Sequence, residues 1–111
     1  MLAEGLTFAE SCGIRAEDAL AVLRSGSTFS RVMDIKGAKM LTSDFTPEGR
    51  LSQHLKDVRL ILATAKESGA QVPFSELHCG LLDELEREGL GGLDNSAVIK
   101  AFQKRERKRI E

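Results

Sequence analysis

Leu51, Leu55, Val58, Leu62 and Ala65 recur at intervals of four, three, four and three residues. Side chains so spaced return to one face of a helix with 3.6 residues per turn, whereas a strand would scatter them over both faces. The stripe predicts a helix from about Leu51 to Ser68, closed by Gly69, a residue suited to the left-handed conformation that follows a helix end. Leu60 and Ile61 are expected to widen its apolar side. Such a helix is roughly 27 Å long, enough to cross a small domain.

The rest of the chain is punctuated in the same manner. Ala3 to Cys12 reads as a helix with Leu6, Ala9 and Leu2 on one face and Gly13 as its stop. No cap precedes it, as is expected of a start severed from a longer helix. Ala16 to Arg24 forms a second helix, with Ala19, Leu20, Val22 and Leu23 on its apolar side and Ser25-Gly26 at its end. Ser27 or Thr28 is placed to cap a third, from Phe29 to about Ile35, which Gly37 is expected to bend or interrupt. Thr42 to Arg50 is a loop with Asp44, Pro47 and Gly49 as turn residues. Val72-Pro73 opens a further helix, because proline is tolerated in a first turn. Phe74, Leu77, Leu81, Leu82 and Leu85 form its core face, and Gly89, Gly91 and Gly92 break it. Asp94 is the expected N-cap of a last helix through Ala97, Val98, Ala101 and Phe102. No segment alternates with the period of a strand, so the expected fold class is all-α, with residues 1–111 as one domain.

Composition removes several classes of function. The chain has 111 residues, 41% of them hydrophobic and 30% charged, the balance of a folded domain with its own core. A net charge of −1 argues against nucleic acid as a partner. The tail Lys104–Glu111 is basic, but its glutamates interleave with the cations, and a solvated helix end explains it better. No apolar run approaches the ~20 residues of a membrane span, and the N-terminus lacks the pattern of an export signal. Together with two thiols that form no paired motif, this suggests a cytoplasmic setting.

Chemistry is sparsely marked. Cys12, Cys79, His54 and His78 have no zinc-ligand spacing, so no metal is expected. Cys79 follows His78, but helix neighbours project about 100° apart, which is poor geometry for a nucleophile and its base. Gly89, Gly91 and Gly92 follow a helix instead of a strand, which excludes a dinucleotide fingerprint here. Asp83, Glu84, Glu86 and Glu88 read as solvated charge along a helix. Lys56 lies mid-way along the long helix, on a side shared with Ser52, Gln53, Arg59 and Ala63 and away from the apolar stripe. Its pattern fits an ordinary surface lysine best, because most lysines are exposed, with a point charge held on a rigid helix for a carboxylate or phosphate as the lesser alternative. The pattern alone leaves both open.

The run Asp44-Phe45-Thr46-Pro47, then Leu51, then Leu55-Lys56-Asp57-Val58 resembles a segment of the β-hydroxyacid dehydrogenases, a family that includes 3-hydroxyisobutyrate dehydrogenases and 2-hydroxy-3-oxopropionate reductases. Other residues follow in the family's order. Ala3-Glu4 through Ala9-Glu10 and Gly13-Ile14 resemble the end of its long interdomain helix. Val22-Leu23 with Ser25-Gly26, then Lys66-Glu67, Gly69 and Val72-Pro73, and finally Gly91, Asp94 and Ser96-Ala97-Val98 are similar to its later elements. The resemblance covers nearly the whole chain, though no single motif is decisive.

The resemblance implies an all-α C-terminal domain like those of the 6-phosphogluconate dehydrogenase-like enzymes, without the Rossmann domain that binds NAD or NADP. Residues 1–12 would be a remnant of the interdomain helix, and 104–111 a charged tail. It implies a substrate-side and oligomerisation domain of a 3-hydroxyacid dehydrogenase, with Lys56 in the position of a cofactor-binding lysine. No catalytic residue is expected on this chain, which alone should bind no NAD(P) and turn over no substrate. The implied partners are a second copy, through helical surfaces, and a Rossmann domain of the same or a split protein. A free-standing helical interaction module derived from that domain is the competing expectation. One departure stands out: where the family often has glycine and phenylalanine after the proline, this chain has Glu48 and Gly49.

Overall fold

The computed structural model describes residues 1–110. They form six α-helices and no strand: α1 (Leu2–Ser11), α2 (Ala16–Ser25), α3 (Arg31–Thr42), α4 (Leu51–Ser68), α5 (Pro73–Arg87) and α6 (Ile99–Ile110), with a 3-10 turn at Asn95–Val98 before α6. The chain divides into two compact units, Met1–Phe45 together with α6, and Thr46–Val98. The tail foreseen at 104–111 is the end of α6 as far as Ile110, and Glu111 lies outside the described residues.

In the first unit, Ala3 and Leu6 of α1, Leu20 of α2, Met40 of α3 and Ile99 and Ala101 of α6 are buried. Gly13 turns the chain out of α1 at φ 82°, as its position suggested. The third helix departs from expectation. It starts at Arg31, capped by Ser30, whose Oγ accepts the Met33 N–H at 3.1 Å, and it runs unbroken through Gly37. The glycine is there for space. A Cβ at Gly37 would sit 2.9 and 3.0 Å from the two methyl groups of Leu20, which is fully buried and has little room to yield. The closeness of α2 to α3 therefore outweighs the ~1 kcal/mol that alanine would add as the better helix former. Val22, expected on the core side of α2, is 70% exposed.

In the second unit, α4 has the foreseen bounds, and Gly69 closes it at φ 77°. Leu51, Leu55, Val58 and Ala65 are buried, while Leu60 and Ile61 are exposed and do not widen the stripe. In α5 the expected core side holds from Leu81 onward and fails in the first turns. Leu82 and Leu85 are buried and Ser75 and His78 half-buried, whereas Phe74 is 83% exposed and Leu77 65%.

The unit closes on the residues after α5. Helix α4 has no side-chain cap, and its first N–H groups need acceptors. The Leu51 N–H donates to the Leu93 carbonyl at 2.8 Å and the Ser52 N–H to that of Gly91 at 3.0 Å. Asp94 is fully buried. Its Oδ1 accepts the Glu48 and Gly49 N–H groups at 2.9 and 3.2 Å, and its Oδ2 accepts the Ser96 N–H and hydroxyl. It caps the 3-10 turn as a local N-cap would, but it also holds the loop that leads into α4.

Asp94→Ala should therefore cost about 3 kcal/mol, because it strands several buried donors together. Asp94→Asn, which keeps one acceptor oxygen, should cost less. Urea unfolding of the two variants beside the parent chain measures both, and equal losses would show that a single acceptor oxygen at this position contributes nothing by itself.

Candidate functional site

Lys56, the site residue implied by the family resemblance, stands on a helix fixed at both ends of its first two turns. One turn before it, the Ser52 hydroxyl donates to Glu86 Oε2 of α5 at 2.7 Å. Three residues after it, Arg59 Nη2 donates to Asp83 Oδ1 of α5 at 2.7 Å, and Asp83 Oδ2 is paired with Arg87 at 2.6 Å. These links revise the expectation for the acidic residues of α5. Asp83, with 24% of its side chain exposed, and the half-buried Glu86 are partners of α4 and not free solvated charge. Gly91 belongs to the same arrangement, since a Cβ there would overlap Ser52 Oγ and Glu86 Oε2.

Lys56 itself is exposed and forms no hydrogen bond or ion pair among the described residues. It projects about 40–60° further round α4 than Ser52 and Arg59, so its ammonium stands beside the α4–α5 contact without joining it. Asp57 is exposed next to it. The arrangement offers one unpaired cation on a backbone that cannot shift far, and such a group can hold a carboxylate or a phosphate. One such cation is not a dinucleotide cradle, which needs a strand, a glycine-rich turn and a helix N-terminus. The described residues contain no strand.

The two histidines, distant in sequence, are brought together. His54 of α4 and His78 of α5 have ring centroids 5.0 Å apart and planes inclined at 57°. Burial, and then the neighbouring His54, hold the His78 imidazole below its ordinary pKa of 6.5. Cys79 is half-buried and free, and no hydrogen bond joins it to His78, so the structure does not assemble a nucleophile pair from them. Periodicity had no means of finding the histidine pair or the reach of Asp94, because both depend on contacts between residues more than twenty positions apart.

In the first unit a groove of about 400 Å³ runs between α1 and α6, lined by Thr7, Phe8 and Phe102 with Glu4, Arg105 and Glu106 at its margin. No helix among the described residues is long and apolar enough to cross a membrane.

Residues 1–102 match the family described as NAD-binding of NADP-dependent 3-hydroxyisobutyrate dehydrogenase. Glyoxylate/succinic semialdehyde reductase 1 of Arabidopsis thaliana is 32% identical over 100 residues, which are 90% of this chain and 35% of that protein. The 2-hydroxy-3-oxopropionate reductase of Escherichia coli is 28% identical over 92% of this chain and 35% of its own length. The cytokine-like nuclear factor N-PAC of Aedes aegypti is 31% identical over 87% of this chain and 17% of its own. Among solved structures, a 3-hydroxyisobutyrate dehydrogenase from Salmonella typhimurium superposes with a TM-score of 0.84 at 25% identity, covering 89% of this chain and 35% of that one. The chain thus spans about a third of the reductases it matches.

The shift at His78 has a consequence for stability. An unfolded chain takes up a proton there as pH falls through 6.5, while the folded chain resists. Stability should hold above that value and decline below it, until the folded form is protonated as well. Urea midpoints between about pH 7.5 and pH 5 should show the decline. His78→Gln should flatten it, and a variant with an unchanged profile would assign the pH dependence to other groups.

Proposed function

We infer the role of this chain from its family: it belongs to the NAD-binding domains of the NADP-dependent 3-hydroxyisobutyrate dehydrogenases, in the wider group of β-hydroxyacid dehydrogenases. We propose that it is the helical, substrate-side and oligomerisation domain of an NAD(P)-dependent 3-hydroxyacid dehydrogenase, and that it acts when a nucleotide-binding domain closes over it. The observation that supports this most is Lys56: an exposed, unpaired cation on a helix tied to its neighbour on either side of that residue.

When bound, NAD(P) supplies hydride transfer to or from the carbon that carries the hydroxyl. This chain's own part is electrostatic. Lys56 holds an anionic group, either of the cofactor or the carboxylate of a hydroxy acid, and its fixed backbone spares the rearrangement that a mobile lysine would need. No described residue is assigned the proton transfer, so the chain alone turns over no substrate in this reading. A cytoplasmic setting accords with two free thiols.

Oligomerisation is supported by unusual apolar exposure. The first unit leaves Phe8, Val22 and Val32 in water, and the second leaves Leu60, Phe74 and Leu77. Such side chains mark surfaces that other protein covers. Light scattering on the eluting chain should give a dimer or larger assembly, and a strict monomer at high concentration would remove this part of the role. A free-standing interaction module is the second reading, favoured by the presence of the same domain in a nuclear factor.

A chimaera separates the two readings. Residues 1–102 are placed in the E. coli reductase in exchange for the segment they match. The chimaera should reduce 2-hydroxy-3-oxopropionate with NAD(P)H, and Lys56→Ala should lower its kcat/KM by roughly 10- to 100-fold with little change in melting temperature. A folded chimaera indifferent to Lys56→Ala would refute the role given to that residue. The isolated 111-residue chain is the control and should be inactive.

A further inference from the structure

His54 and His78 are the chain's only histidines. They project from the α4–α5 pair on a side unrelated to Lys56, since His54 and Lys56 lie two residues apart and point about 200° apart around α4. Both imidazoles are half-buried, and neither takes part in a hydrogen bond or ion pair among the described residues. Two polar rings in contact, with their nitrogens engaged by no protein group, leave lone pairs to be used.

The spacing suits a shared ion. Zinc binds imidazole nitrogen at about 2.0–2.1 Å, which puts the ion roughly 3.2 Å from the ring centre, and two such rings at a tetrahedral angle have centres about 5.2 Å apart. The observed separation is 5.0 Å. The backbones that carry the rings are already joined by the Ser52–Glu86 and Arg59–Asp83 links, so little order remains to be lost on binding.

We propose that His54 and His78 form a two-imidazole site for a borderline divalent transition ion, with zinc as the type case and water completing the coordination. No group of three or more His, Cys, Asp or Glu able to hold a metal occurs among the described residues. Cys79, next to His78, projects about 100° away from it and is not a ligand. The site is therefore weaker than a four-ligand structural one, and its effect is to clip α4 to α5. Linear spacing could not reveal it, because its two ligands come from different helices.

The test is a calorimetric titration of Zn²⁺ into the 111-residue chain near neutral pH, repeated with His54→Gln and His78→Gln. One zinc per chain is expected, and each variant should lose at least about tenfold in affinity, since a lost ligand costs no less than a lost supporting contact. Far-UV circular dichroism checks that the variants fold. Should either fail, the imidazole NMR resonances of the parent chain decide. Zinc should move those of both histidines together and saturably. No binding up to millimolar zinc, equal binding by folded variants, or shifts confined to one histidine or to carboxylates would overturn the proposal.

Discussion

The second unit depends on how the start of its longest helix is satisfied. Helix α4 begins without a side-chain cap, and bare N–H groups at a helix start are costly where water is excluded. Residues some forty positions later provide the acceptors, through the carbonyls of Gly91 and Leu93 and the buried carboxylate of Asp94 on the loop just before the helix. One turn of chain thereby fixes where α4 starts and where α5 ends. The arrangement demands a small residue at 91, where Ser52 and Glu86 meet, and a charged acceptor at 94, because several donors converge on it.

In the proposed role that closure matters, because Lys56 is rigid only if α4 is. A lysine on a frayed helix would spend much of its binding energy on being ordered. Here the buried stripe of Leu51, Leu55 and Val58 holds one side of the helix, and the Ser52 and Arg59 links hold the flank beside Lys56. The ammonium is exposed and unpaired, a state that the proposed anion site requires and that a plain surface lysine shares. The same arithmetic that makes exposed ion pairs weak leaves this cation available at little cost to stability.

Much of this was legible in the sequence, and the limits have physical causes. The bounds of α4 followed from periodicity and Gly69, because a long amphipathic stripe and a left-handed stop are local signals. Gly37 misled, because a glycine inside a helix reads as a break unless one knows that Leu20 packs against it. The buried side of α5 differs from expectation only in its first turns, for a related reason. Phe74 and Leu77 are apolar but lie outside the stripe through His78, Leu82 and Leu85, and only tertiary packing selects between two overlapping stripes. Asp94 was recognised as a cap, but not as the anchor of a loop 45 residues away. Lys56 was named through family likeness. Its own pattern favoured a plain surface lysine over an anion site, and the structure adds its exposure and the two links that flank it.

The measurement that bears most directly on this account is the position of the Lys56 ammonium in a crystal structure of the chimaeric enzyme with NADPH and a hydroxy acid bound. The account places the Lys56 Nζ within about 3 Å of an oxygen of the cofactor or the substrate, at hydrogen-bonding distance. An ammonium left in open solvent, more than about one Debye length of 8–10 Å from either ligand, would contradict it.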